Sequence, residues 1–133
     1  MKELVVLDSF AVIAYLKKEA GWPKVVECLE KAQKRQSYLF LSLINWGEVY
    51  YTISRSLGKK VAEESLLIID QLAIEVVDIH RPVVFQAAQF KAVYPIAYAD
   101  CFAAALAKEK KCPLMTGDPE FKYLKDEIQI IWI

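Results

Sequence analysis

Short apolar runs alternate with amphipathic segments from one end of the chain to the other, and this alternation restricts the fold more than any other feature. Leu4–Leu7 is a continuous, β-branched-rich run that reads as a buried strand, and Ser9 can cap a helix reaching about Lys18. Pro23 suits the first turn of a second helix, with Val26, Leu29 and Ala32 along one side. Tyr38–Leu41 reads as a second strand. Leu43–Leu57 follows as a helix with an apolar stripe of Val49, Ile53 and Leu57, stopped by Gly58. A helix over about Val61–Leu72 leads to a third strand, Ile74–Ile79. Pro82 opens a helix to about Val93, and Pro95 ends it. Tyr98–Lys111 is helical, and its alanines at 103, 104, 105 and 107 permit close backbone approach. Leu114–Thr116, a short turn from Pro119, and Ile128–Ile133 complete the pattern. Repeated βα units of this kind imply an α/β fold: a mostly parallel central sheet covered by helices on both faces, a three-layer α/β/α sandwich.

At 133 residues, with no internal repeat or linker, the chain is expected to form one domain, 1–133. Its 56% hydrophobic and 26% charged residues exclude disorder. Asp8 interrupts the first apolar run, so no secretory signal is expected. The longest uncharged run, Gln36–Gly47, has 12 residues, against roughly 20 needed to span a bilayer. A cytoplasmic protein without a membrane segment is the expectation. Cys28, Cys101 and Cys112 form no C-x-x-C pair, which favours buried free thiols in a reducing compartment over zinc or disulfides.

The chemistry rests on carboxylates. Asp8 directly follows the first strand and Asp118 lies just beyond the fourth; open parallel sheets bind ligands outside the carboxyl ends of their strands. Asp100 falls in the first turn of the alanine-rich helix, and Glu48 shares a polar stripe with Asn45 and Thr52. Singly, each has a simpler reading as a cap, a turn residue or a solvated acid. Brought to one edge, four acids repel unless a cation joins them, and a hard divalent ion such as Mg²⁺ or Mn²⁺ suits oxygen ligands.

Val6-Leu7-Asp8-Ser9, Asn45-Trp46-Gly47-Glu48, Ala99-Asp100 before Ala103–Ala107, and Thr116-Gly117-Asp118-Pro119-Glu120-Phe121 together resemble the PIN domain, most closely the VapC-type ribonuclease toxins of toxin–antitoxin pairs. The likeness covers essentially the whole chain. It implies a metal-dependent endoribonuclease that cleaves RNA, forms a homodimer and is inhibited by a cognate antitoxin. It also implies an acidic catalytic and metal site at Asp8, Glu48, Asp100 and Asp118, with Asp8 and Asp100 as direct ligands. Ser9, Asn45 and Thr116 are candidates to orient those carboxylates or their waters, although capping and turn roles suit them equally. Glu120 is close enough in sequence to Asp118 to be considered with the four acids, but reads better as a favourable acid in the first turn of a short helix. Cys101 and Phe102 occupy positions where small or aliphatic residues also fit, and both are expected to face away from Asp100. Lys17, Lys18, Arg55, Lys59 and Lys60 are all open as RNA contacts. The implied antitoxin helix would lie in a groove made partly by the first two helices.

Other chemistries lack their parts. His80 is the single histidine and reads as a loop residue after the third strand, which removes triads and HExxH zinc sites. Neither G-x-G-x-x-G nor G-x-x-x-x-G-K occurs. Phe10 stands where an aspartyl phosphatase often has its second acid. A phosphoacceptor signalling domain expects an acidic pair beside the first strand, where this chain has only Asp8. A non-catalytic RNA- or protein-binding module of the same fold has no need of all four acids. Trp46, Tyr50, Tyr51, Tyr94 and Tyr98 could stack bases, but core packing is their commoner fate.

The 17 basic residues balance the 17 acidic ones, which at first argues against a nucleic-acid substrate. If four acids serve a metal, 13 remain against 17 basic residues, an excess of four positive charges. Neutrality is then the sum of a compact acidic site and a mildly basic remainder.

Overall fold

The structure, a computed structural model, describes residues 2–133. The strands are β1 (Glu3–Leu7), β2 (Ser37–Ser42), β3 (Ile74–Val77), β4 (Leu114–Thr116) and β5 (Ile130–Trp132). The helices are α1 (Ser9–Lys17), α2 (Trp22–Gln33), α3 (Leu43–Leu57), α4 (Lys59–Gln71), α5 (Arg81–Val93) and α6 (Tyr98–Lys110), with a 3₁₀ turn at Pro119–Leu124. All neighbouring strands are parallel, in the order β3-β2-β1-β4-β5.

Strand alternation explains the layers. Val5 and Leu7 project to one face of β1, where they join Leu39 and Leu41 of β2 and the apolar sides of α1, α2, α3 and α4. Val6 projects to the other face with Phe40 and Leu114, under α5, α6 and the 3₁₀ turn. Central strands buried on both sides must be apolar throughout, which is why these runs are continuous. Ala103, Ala104, Ala105 and Ala107 are all buried, letting α6 lie close between the sheet and α5.

Several sequence expectations are corrected. Asp8, not Ser9, caps α1: its Oδ1 accepts the Ala11 N–H at 2.9 Å. β3 stops at Val77 and β5 covers only Ile130–Trp132, because the residues beyond them leave the ladder. Leu57 is exposed in the last turn before Gly58, where α3 has run past the core. Cys28 and Cys101 are buried free thiols, whereas Cys112 is only half-buried. No helix among the described residues is long and apolar enough to cross a membrane.

After β3 the chain returns to place β4 on the opposite side of β1. The strand order therefore reverses between β1 and β4, and their carboxyl ends carry Asp8 and Asp118 directly to the crevice that such a reversal opens.

Candidate metal centre

Asp8 is only 1% exposed. Its Oδ2 accepts the Thr116 hydroxyl at 2.5 Å, and Thr116 Oγ1 in turn accepts the Asp118 N–H at 3.0 Å. One hydroxyl thus links the ends of β1 and β4. Asp118 caps the 3₁₀ turn, its Oδ1 accepting the Glu120 N–H at 2.9 Å. Thr116→Val keeps the volume but leaves a buried carboxylate oxygen and an amide without their partner, so a loss of about 1–3 kcal/mol is expected in urea unfolding.

Glu48 comes from α3. Its Oε1 accepts hydrogen bonds from Ser9 Oγ at 3.0 Å and Asn45 Nδ2 at 2.8 Å. Asn45 is fully buried and also donates to the Ala99 carbonyl at 3.2 Å, tying α3 to the start of α6 beside Asp100. Two acceptors on Nδ2 fix the amide orientation and leave Asn45 Oδ1 without a partner among the described residues. Tyr51 donates to the other oxygen of Glu48 at 3.4 Å.

The tightest grouping is Asp100, Asp118 and Glu120, each offering a carboxylate oxygen within 4.8 Å of the others. The place of Glu120 in the sequence favours a first-turn acid of a helix. It is that, yet the 3₁₀ turn also swings its carboxylate toward Asp100, a consequence of Pro119 starting a turn immediately after Asp118. The spacing Asp-Pro-Glu was the available signal. Asp8, Glu48, Asp100, Asp118 and Glu120 all line one open cleft of about 470 Å³.

Burial raises the Asp8 carboxyl from 3.8 to about 7, against the lowering effect of Thr116 and the Ala11 amide, with Asp118 and Glu48 adding repulsion. Asp100 is likewise raised to about 7 by burial, then by the charges of Asp118, Glu48, Asp8 and Glu120. Oxygen donors alone, converging from separate elements and ionising reluctantly without a countercharge, fit a hard divalent cation. Of the basic residues left open by sequence, Lys17 lines the cleft, and it pairs with Glu19 at 3.4 Å. Lys59 is engaged with Glu63 at 3.8 Å, Lys18 lies over Trp22, and Arg55 lies over the Tyr51 ring at 5.1 Å.

Phe10 and Thr52 also line the cleft, whereas the cysteines, His80 and the other aromatic residues singled out in the sequence are not part of its lining. Cys101 and Phe102 are buried with Val6 beneath the α5 and α6 face, turned from the acids as expected. Trp46 and Tyr50 pack on the α1–α4 core and Tyr94 on the other, whereas Tyr51 and Tyr98 are exposed. His80 precedes α5 and its ring meets Glu109 at 3.0 Å.

A wholly parallel α/β/α sandwich with carboxylates gathered at its switch point defines an α/β domain built around an acidic centre. The chain belongs to the PIN domain family, which it matches over residues 5–127. Among solved structures, it is similar to VapBC2 from Rickettsia felis bound to a promoter DNA fragment, with TM-score 0.77, 19% identity, and coverage of 96% of this chain and 97% of that one. DNA-bound VapBC from Salmonella typhimurium aligns with TM-score 0.75 and 21% identity over 98% of both chains. The sarcin-ricin-loop-cleaving toxin VapC20 of Mycobacterium tuberculosis aligns with TM-score 0.72 and 14% identity, over 90% of this chain and 93% of that one. At these identities the likeness establishes a shared fold. No curated protein matches the sequence significantly.

Proposed function

We propose that this chain, as one PIN domain, is a Mg²⁺- or Mn²⁺-dependent endoribonuclease and the toxin of a VapBC-type toxin–antitoxin pair. The observation that carries this reading is the convergence of five carboxylates on one cleft, two of them buried with raised proton affinity. Asp100, Asp118 and Glu120 form the closest oxygen set for the cation, with Asp8 and Glu48 completing the acidic wall. When bound, a divalent ion supplies neutralising charge for phosphate oxygens and acidifies a water for in-line attack, so no protein nucleophile is needed.

The chain's own residues set the stage for that chemistry. Thr116 holds the Asp8 carboxylate and the Asp118 backbone in fixed relation. Ser9 and Asn45 clamp one oxygen of Glu48, and Asn45 keeps α3 registered on α6. Such outer contacts fix a ligand's direction before the cation arrives. Lys17 is the basic side chain in the cleft lining and, beside Glu19, would meet an RNA phosphate there.

A homodimer held inactive by a cognate antitoxin is the accompanying proposal; its antitoxin part is supported by similar structures described as a toxin–antitoxin complex from Klebsiella pneumoniae and a member of the VapBC family of toxin–antitoxin systems from Mycobacterium tuberculosis. Incubating the purified protein with structured RNAs in Mg²⁺ or Mn²⁺ is expected to give cleavage that a chelator stops and Asp8→Ala lacks. Equal cleavage by both proteins, or none with either ion, would refute the nuclease.

A further inference from the structure

We propose that Phe10 is the stacking platform for an unpaired base of the bound strand, and so a determinant of which nucleotide lies beside the cleaved bond. This inference rests on the ribonuclease reading above. Phe10 is 41% exposed although it is a large apolar side chain, and it lines the same cleft as Asp8, Asp100 and Asp118. Exposed aromatics among carboxylates gain nothing from water and leave a face free for an apolar, planar ligand.

The position of the ring is built into the chain at two points. Phe10 is the second residue of α1, two places after Asp8, so the capped first turn holds its backbone beside the acids. Its ring edge lies directly against Gly117, where any Cβ would overlap the ring carbons. Gly117 itself stands between Thr116 and Asp118, the two residues that link Asp8 to the end of β4. The missing side chain at 117 therefore lets the aromatic ring settle within the acidic cleft.

A cleft of about 470 Å³ is large enough for a nucleotide. A phosphodiester drawn to the carboxylates by a divalent ion brings its own bases to the adjoining wall, and Phe10 is the large aromatic residue of that wall. Every base has a π-face, so stacking there demands an unpaired nucleotide without reading a hydrogen-bond pattern. Lys17, two turns further along α1 and on the same cleft, suits a neighbouring phosphate of the same strand.

The test uses a single-stranded RNA carrying 2-aminopurine, whose fluorescence is quenched by stacking, titrated with wild type, Phe10→Tyr, Phe10→Leu and Phe10→Ala in Mg²⁺. Wild type and Phe10→Tyr are expected to quench alike. Phe10→Ala is expected to bind about 10-fold more weakly or worse. Phe10→Leu preserves an apolar contact with Gly117 without a ring, and is expected to lose the quench as well. In cleavage, an abasic nucleotide at the quenched position is expected to impair wild type about 10-fold and to leave Phe10→Ala unaffected, since the two changes remove one interaction. Quenching that persists in the leucine and alanine variants overturns the platform even if RNA is cleaved. Quenching by wild type without cleavage instead refutes the nuclease and retains the base contact. Unchanged RNA binding by Phe10→Ala, with loss of binding to a copurified protein, would assign the ring to a protein partner and overturn the proposal.

Discussion

Asp100→Asn is expected to lower metal-dependent RNA cleavage by on the order of 10²–10³-fold and, at pH 8, to raise the thermal midpoint of the metal-free protein. The two halves have one cause. Asp100 is 8% exposed and faces Asp118, Glu48, Asp8 and Glu120, so its ionised form is held in the fold against burial and repulsion. An amide of the same shape carries no charge, which removes the repulsion, but it also removes one anionic oxygen from the closest set of three. A carboxylate retained only for structure would behave in the opposite way, since its loss would lower the midpoint. The decisive measurement is thermal unfolding in chelator paired with cleavage in Mg²⁺ on the same preparations. A lowered midpoint with intact cleavage would remove Asp100 from the site.

The second large effect is the dependence of stability on pH. Asp8 and Asp100 have folded-state values of about 7, above the 3.8 of an ordinary aspartate. Between those limits the folded protein retains protons that the unfolded chain has released, so these groups make stability fall as pH rises from about 4 to about 7. Above that the loss is complete and their contribution levels off. For buried Asp8 the loss is on the order of 4 kcal/mol. A divalent ion binds only the ionised carboxylates, so its stabilising effect is expected to grow through the same window and to be greatest above pH 7. Urea midpoints at pH 5 and pH 8, with chelator and with Mn²⁺, test this directly. Equal metal stabilisation at both pH values would mean that the cation binds elsewhere.

These effects concern residues of unequal visibility in the sequence. Asp8 and Asp118 were legible because a carboxylate directly after a strand of a parallel sheet has few places to go other than the ligand-binding edge. Asp100 was legible from its place in the first turn of an alanine-rich helix that had to lie against the sheet. Glu48 needed more, since a glutamate in the middle of a helix usually meets water; only its stripe with Asn45 suggested otherwise. Glu120 reads in the sequence only as its local role, because periodicity does not report how far a 3₁₀ turn rotates a side chain.

Residue order alone dictates the layered architecture and the acids available to it. Continuous apolar runs such as Leu4–Leu7 can be satisfied only by burial on both faces, and that requirement dictates a parallel sheet between helices. Which acids meet depends on how the strands pair. Placing β4 beside β1 brings the ends of strands 108 residues apart within one hydroxyl's reach, through Thr116 and Asp8. The same pairing seats the Phe10 ring on Gly117 and turns Glu120 toward Asp100. Period and propensity are local properties, whereas the proton affinity of Asp8 and the grouping of carboxylates arise from long-range burial and repulsion.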